Sequence, residues 1–231
     1  MNLDETKTST ISDPRMIDTL LPVVYGKTDN RPAWIGKHRP ATSVESLKAQ
    51  AAWAATHYDF YLNFVRDYME PHGQALDLGC GAGQNTAMLG RYCDLAIGVD
   101  SDPDAIEFAI KHNGDIHTTF IAGTFPEYDV AMQYDYIFCV ETMEHVPYDK
   151  QFDFLDAALG RLTPNGLMFI TTPDEETVAP PHIGIWSSEF FPRVLEHLED
   201  RIVRYGHFDN KNPGVGFVRR KSSHHALVLG A

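Results

Sequence analysis

The apolar positions change period along the chain, and these changes predict an alternation of strands and helices. Short continuous apolar runs are typical of buried strands, whereas apolar residues recurring every three to four positions indicate amphipathic helices. The predicted strands cover residues 75–78, 95–99, 117–121, 134–140, 166–171, 201–208 and 224–229. The predicted helices between and after them cover residues 85–92, 103–113, 151–161 and 188–198.

Strands that alternate with helices predict βαβ units, which place parallel strands in one sheet with helices over both faces. The last two predicted strands differ, because no helical pattern separates them. We therefore expect an α/β fold with a mostly parallel sheet and an antiparallel pair at one edge.

The first 57 residues form a segment of different character. Residues 14–45 mix apolar side chains with four prolines, and a helical pattern begins near Ser43. A second helical series over residues 58–68 leads into the first strand. We expect an N-terminal helical arm or lid over residues 1–57 and one domain over residues 58–231.

Charge and cysteine content narrow the function classes. The 231 residues include 19 Lys and Arg against 32 Asp and Glu, a formal charge of −13. Broad binding to nucleic acid or anionic lipid needs clustered basic side chains. The 3 cysteines are scattered, and the acidic, polar start is unlike a secretory signal. We expect a cytoplasmic protein that binds neither nucleic acid nor a membrane.

The most informative segment is a glycine loop between the first predicted strand and the first helix. Gly79, Gly81 and Gly83 alternate with other residues just after the apolar run 75–78. Glycine permits sharp turns and close approach of a ligand, and parallel sheets bind ligands beyond the carboxyl ends of their strands. Gln84 stands where the dinucleotide fingerprint needs glycine or alanine, and no phosphate-loop lysine follows. A turn without any ligand remains an alternative.

Two aspartates end the first and second predicted strands. Asp77 can accept hydrogen bonds from loop amides or from a ligand ammonium group. Asp100 stands at the tip of the second strand, where an acid can bind both hydroxyls of a ribose. Asp100 could instead cap the next helix, but Ser101 and Asp102 are also candidate caps.

Four segments, in order, resemble the motifs of class I S-adenosylmethionine-dependent methyltransferases. They are residues 76–83, 98–100, 134–146 and 162–173. The acid–His–Val run at residues 144–146 and the Pro-Asn-Gly turn are most similar to the small-molecule branch that includes ubiquinone-biosynthesis O-methyltransferases. The resemblance covers roughly residues 58–231. It implies a Rossmann-like, seven-stranded, mostly parallel sheet with one antiparallel edge strand.

The resemblance also implies a cofactor, S-adenosyl-L-methionine, with S-adenosyl-L-homocysteine as its product. The glycine loop would pass under the methionine part, Asp77 would hold its ammonium group, and Asp100 would bind the ribose. Thr124 and Phe125 would flank the adenine. The implied cofactor-binding set is Tyr58, Asp77, Gly79, Cys80, Gly81, Gly83, Asn85, Asp100, Ser101, Thr124, Phe125, Glu141 and Thr142.

Two histidines are the candidate catalytic bases. His145 follows the fourth predicted strand, and His182 follows the fifth, where this fold presents the acceptor. An imidazole titrates near neutrality and can take a hydroxyl proton. Glu141 and His145 are four residues apart, so a helix would place them on one face. With Glu144, and with His182 as a further candidate ligand, they could hold Mg²⁺. A hydrogen-bonded pair is the favoured interpretation, and a divalent metal is the disfavoured alternative.

The leading hypothesis is transfer of a methyl group to a small-molecule acceptor, at oxygen rather than nitrogen. Alternatives are a protein or saccharide methyltransferase, a non-catalytic module that keeps the fold, and an NAD-dependent oxidoreductase. The glycine loop with Asp100 disfavours the inert module, and Gln84 disfavours NAD. Neither the acceptor nor the oligomeric state follows from the sequence.

Overall fold

A computed structural model describes residues 68–127, 132–174, 182–210 and 222–231. The predicted N-terminal arm and Tyr58 lie outside these ranges, so both stay predictions. Within the described residues, every helix is too short or too polar to cross a bilayer.

Seven strands and four α-helices make up the described part of the chain. The strands are β1 (Gln74–Leu78), β2 (Leu95–Asp100), β3 (Thr118–Ala122), β4 (Tyr134–Val140), β5 (Leu162–Pro173), β6 (Ile202–Asn210) and β7 (Ser222–Gly230). The helices are α1 (Gln84–Leu89), α2 (Pro103–Asn113), α3 (Gln151–Leu159) and α4 (Phe191–His197). Short 3₁₀ turns cover Met143–His145 and Glu199–Arg201.

The strand order is β3-β2-β1-β4-β5-β7-β6. Strands β1 to β5 pair in parallel, and β7 runs antiparallel to both β5 and β6. The predicted α/β class and the late antiparallel pair are confirmed. Strand β7 lies between β5 and β6. The chain therefore forms the edge strand β6 first and then returns as β7, which pairs with both β5 and β6. Because β1 to β5 run in parallel, the carboxyl ends of β1, β2, β4 and β5 lie along one edge of the sheet. The strand order reverses between β1 and β4, and this topological switch point is where open α/β sheets bind ligands.

The largest differences from the predicted starts are at β5 and α4. Strand β5 begins at Leu162 rather than at residue 166, because Leu162 pairs with Tyr134 across a register shift. Helix α4 begins at Phe191 rather than at residue 188, since the preceding residues form a turn in which the amide of Phe190 donates to the carbonyl of Ser187. In both places the turn residues Pro164-Asn165-Gly166 and Ser187-Ser188 obscured the boundary.

The hydrophobic core lies on both faces of the sheet, as expected for parallel strands. One cluster joins β4 and β5 to α3 and α4 through fully buried side chains such as Ile137, Leu155 and Val194. A second cluster covers the opposite face, where Phe138 stacks on Phe169 with ring centroids 4.8 Å apart. The strands are therefore held rigidly, and the loops at their carboxyl ends start from fixed positions.

His225 on β7 belongs to this core. Its ring stacks on Phe191 with centroids 3.6 Å apart, and its Nε2 lies 3.0 Å from the carbonyl oxygen of Trp186. Because that oxygen can only accept, Nε2 carries the proton and Nδ1 accepts from the Tyr205 hydroxyl at 3.2 Å. Burial lowers the pKa of His225 from 6.5 to about 4. The ring is thus neutral in the folded protein at pH 7.

This neutral histidine predicts a loss of stability in acid. As the pH falls, His225 is protonated in the unfolded chain before it is protonated in the folded protein. Its contribution to the free energy of unfolding is therefore complete above pH 6.5 and is lost as the pH falls toward 4. We expect the free energy of unfolding to fall by roughly 2–3 kcal/mol over that range from this group. Urea unfolding at pH 7 and 4.5 should show a smaller loss for His225→Phe, which keeps the stacking but does not titrate. Equal losses in both proteins would contradict the assignment.

Candidate functional site

The glycine loop after β1 is built from left-handed backbone. Gly79, Gly81 and Gly83 have φ angles of 73°, 51° and 81°. A Cβ on Gly79 would overlap the Thr142 side chain, whereas a Cβ on Gly81 would meet no described atom within 4 Å. Gly79 and Gly83 are therefore needed for packing, and Gly81 faces space that no described atom fills.

The side chain of Cys80, between these glycines, turns into the protein. It packs with Ile106, Ala109 and Phe120 in a small cluster, and burial raises the pKa of its thiol. The backbone amides of Gly79 and Cys80 both donate to the carbonyl of Val99, at 2.8 and 3.1 Å. A ligand that contacts Cys80 would therefore contact its backbone rather than its side chain.

Asp100 links the end of β2 to the glycine loop. One carboxylate oxygen, Oδ2, accepts from the amide of Gly81 at 2.8 Å, and Oδ1 accepts from the amide of Asp102 at 2.8 Å. The cap of α2 is Asp102, which accepts from the amides of Asp104 and Ala105. The capping role thus belongs to Asp102, and Asp100 borders the open side of Gly81. Ser101, between them, is exposed.

Asp77 lies beneath the loop with only 2% of its surface exposed. Its two oxygens accept from the Asn85 amide at 2.7 Å and from the Thr86 hydroxyl at 2.6 Å. Burial, with a contribution from Asp100, raises the pKa of Asp77 from 3.8 to about 6. Asp77 and Asn85 therefore support the loop from within, and their contact with a ligand ammonium group stays a prediction.

The segment after β3 lies beside the end of β2, since the amide of Gly123 donates to the carbonyl of Asp100 at 2.9 Å. Thr124 is exposed here. The Phe125 ring meets Phe154 of α3 edge to face, with centroids 5.1 Å apart. Phe125 is thus anchored in the core on one side, and its place beside an adenine stays a prediction.

Glu141 follows β4 with a left-handed φ of 53°. Its amide donates to the carbonyl of Thr171, and its carboxylate accepts from the Thr171 hydroxyl at 3.1 Å and lies 3.0 Å from His224 Nε2. The neighbouring Thr142 donates to the carbonyl of Leu78 at 3.0 Å and so joins the glycine loop to β4. The expectation that Glu141 and His145 share one helical face is wrong, because the helical turn covers only Met143–His145 and Glu141 turns toward β5 and β7.

The segment after β4 also brings Glu144 and His145 next to His182. One ligand atom from each of these three residues lies within 4.8 Å of the others. Glu144 is 2% exposed and accepts from the Thr172 hydroxyl. Burial and the nearby Glu141 raise the pKa of the Glu144 carboxyl well above its usual range. Such a carboxylate–imidazole set could hold a divalent cation.

The two candidate catalytic histidines are neighbours in space. The rings of His145 and His182 meet edge to face with centroids 5.2 Å apart. His145 is exposed, whereas the Nδ1 atom of His182 is buried and has no hydrogen-bond partner among the described residues.

Sequence reasoning missed the partners that hold these segments. They are Thr86, Gln151, Thr171, Thr172 and His224, which come from helices α1 and α3 and from strands β5 and β7. Thr171 and Thr172 lie within the motif-like segment 162–173, and the other three lie outside the four segments. Only the His224-His225 doublet could have been noticed in the sequence. Neighbouring residues of a strand face opposite sides of a sheet, so the doublet predicts one histidine on each face.

The site is rich in carboxylates. Asp77 and Asp100 lie at the ends of β1 and β2, and Glu141 and Glu144 follow β4. Each pair interacts, because Asp100 contributes to the raised pKa of Asp77 and Glu141 to that of Glu144. A positively charged ligand would relieve this repulsion, so the site favours a cation.

Comparison with known proteins identifies a domain at this position. Residues 75–166 match the family model described as a methyltransferase domain. These residues contain β1 to β4, α1 to α3 and the glycine loop, so the match covers the candidate site except for His182, His224 and the end of β5.

Individual relatives match over parts of their length. The mitochondrial ubiquinone biosynthesis O-methyltransferase of Schizosaccharomyces pombe is 30% identical over 167 residues, which are 68% of this chain and 59% of that protein. The small RNA 2'-O-methyltransferase of Mus musculus is 30% identical over 130 residues, 49% of this chain and 33% of that protein. The chain thus spans about three fifths and one third of these relatives.

Solved structures share the fold. The N-methyltransferase NodS of Bradyrhizobium japonicum, in complex with S-adenosyl-L-homocysteine, superimposes with a TM-score of 0.57. The alignment covers 93% of this chain and 97% of NodS at 13% sequence identity. At that identity the likeness shows the arrangement of the sheet and helices alone.

Proposed function

We propose that this chain, which belongs to the class I S-adenosylmethionine-dependent methyltransferases, transfers a methyl group from S-adenosylmethionine to a small-molecule acceptor. The observation that carries the proposal is the bond from the Gly81 amide to Asp100, beside open space at the carboxyl edge of the sheet. That arrangement offers a carboxylate and bare backbone to a nucleoside, as in other open α/β sheets.

The residues present fit the cofactor. The donor is a sulfonium with an ammonium group, and it supplies an already activated methyl group. Asp77 beneath the loop and Asp100 beside it provide negative charge for such a cation. Asp100 keeps lone pairs for ribose hydroxyls after accepting one amide on each oxygen. The structural neighbour NodS was solved with S-adenosylhomocysteine, so a chain of this fold can hold the spent cofactor.

The acceptor would enter on the side of His145 and His182. A methyl transfer needs the attacking atom aligned with the methyl group and water excluded, and a base only if the acceptor must lose a proton. His145, whose ring is exposed, and the neighbouring His182 are the candidate bases for that proton. A hydroxyl acceptor, as in the ubiquinone-biosynthesis relative, fits these bases.

A nucleic-acid acceptor is the second candidate, because a small RNA 2'-O-methyltransferase is among the relatives. The charge of −13 disfavours it, since binding a phosphate backbone depends on clustered Lys and Arg. Protein and saccharide acceptors also offer hydroxyl or amino groups to the methyl group, and they differ from small-molecule acceptors mainly in size.

Calorimetry with S-adenosylhomocysteine and with NAD tests the cofactor. We expect saturable heat from the first and none from the second, and binding of neither would contradict the proposal. Transfer of a labelled methyl group to catechol, phenol, an RNA oligonucleotide or a peptide then tests the acceptor class. We expect catechol and phenol to become labelled. Parallel assays with EDTA and with Mg²⁺ test whether Glu144, His145 and His182 hold a cation that the reaction uses.

A further inference from the structure

A single buried glutamine joins the two segments that carry the candidate catalytic histidines. Gln151, the first residue of α3, is 0% exposed. Its Nε2 lies 3.0 Å from the carbonyl oxygens of Met143 and Val146 and 2.5 Å from that of Gly184, so its two N–H groups are shared among three acceptors. Its Oε1 accepts from the indole N–H of Trp186 at 2.7 Å. Every polar atom of the side chain is thus used.

These bonds fall next to both histidines. Met143 and Val146 flank His145 in the segment after β4, and Gly184 follows His182 by two residues. The rings of His145 and His182, on opposite sides of this junction, lie 5.2 Å apart between centroids. Gln151 therefore contacts the backbone close to both rings.

The two segments that Gln151 joins pack closely against each other. A Cβ on Gly184 would overlap the carbonyl oxygen of Val146 and Gln151 Nε2. The amides of Ile183 and Gly184 donate to the carbonyl of Glu144 at 2.9 and 3.1 Å, so main chain meets main chain here. In such a tight contact the length and polarity of residue 151 set the distance between the segments.

We propose that Gln151 is a positioning residue for the acceptor side of the site, which keeps His145 and His182 at one fixed separation. The inference rests on the proposed function, because it takes these histidines to face the acceptor. An amide suits the role, since it offers donors to the carbonyl groups and an acceptor to the indole at the same time. No other uncharged side chain of this length does both.

The variant Gln151→Met tests the proposal, because methionine has a similar length but neither bonds the carbonyl groups nor accepts strongly from the indole. In the full chain, NMR would follow the contacts between the two imidazole rings, and hydrogen exchange would follow the amides of Ile183 and Gly184. We expect the ring–ring cross-peaks to weaken at least threefold and these amides to exchange at least tenfold faster. The dissociation constant for S-adenosylhomocysteine should stay within twofold, since Gln151 lies outside the glycine loop.

A matched control separates positioning from stability. Ala158→Gly changes a fully buried residue of the same helix and lowers the melting temperature without touching the junction. It should keep the ring–ring contact of the original protein. If Gln151→Met behaves like Ala158→Gly, with a lower melting temperature and unchanged cross-peaks, the inference is overturned. Failure of the original chain to bind S-adenosylhomocysteine would instead overturn the proposed function, and with it the acceptor role.

Discussion

Replacing Asp100 with asparagine is expected to weaken the binding of S-adenosylhomocysteine by about 10- to 100-fold, since hydrogen bonds to charged groups contribute about 1.5–3 kcal/mol each. The carboxylate holds two backbone amides, those of Gly81 and Asp102, each at 2.8 Å. Asparagine offers one oxygen and would turn its amino group toward the other amide. The loop would then move, and the charge beside the proposed ribose would be lost. Calorimetric titration measures the change.

Asp102→Asn is the control for this prediction. It removes the same charge two residues away, and asparagine still caps a helix well, so α2 should persist. We expect its affinity for S-adenosylhomocysteine to stay within twofold of the original value. Equal losses in both variants would mean that overall charge matters rather than the contact, and an unchanged affinity in Asp100→Asn would remove Asp100 from the site.

Gly83→Ala is expected to lower the free energy of unfolding by about 2–5 kcal/mol, the sum of a left-handed backbone and an overpacked core. The φ angle of Gly83 is 81°, and a Cβ there would lie 2.5 Å from Phe120 Cε1 and 2.8 Å from Ala109 Cβ. Phe120 belongs to β3 and Ala109 to α2, and both are buried, so neither can move aside cheaply. Urea unfolding measures the loss.

Gly81→Ala should behave in the opposite way. Its φ of 51° has a conformational cost of about 1 kcal/mol, but the added methyl group would meet no described atom within 4 Å. The fold should therefore persist, while affinity for S-adenosylhomocysteine falls more than tenfold because the methyl group enters the ligand space. Normal binding by Gly81→Ala would show that this space is not used by the cofactor. Equal stability of the two variants would contradict the packing role of Gly83.

Local patterns carried most of the fold prediction. Strand β4 and helix α2 have the predicted bounds, because their apolar periodicity ends at clear turn and capping residues. The start of β5 was missed, since the pairing of Leu162 with Tyr134 across a register shift depends on a strand nearly thirty residues away. Boundaries made by pairing partners leave no local signal.

The glycine loop and its link to Asp100 could also be predicted from the sequence. The glycine spacing and Asp100 at a strand tip lie close together along the chain, and the structure joins them through Gly81. The contacts around Glu141 and the two histidines were not. The pairing of Glu141 with His224 spans 83 residues, and the bond from Gln151 to Gly184 spans 33. The predicted helical pairing of Glu141 with His145 was wrong for the same reason, because contacts with β5 and β7 outweighed a local helix.

The sequence by itself determined the element order, the parallel sheet and the glycine loop with its aspartates, because each is written in residues close along the chain. Tertiary structure alone decided which glycine faces open space, which aspartate caps a helix, and how closely His145 and His182 approach. Those features depend on contacts between strands and helices distant in sequence, and such contacts exist only once the chain has packed.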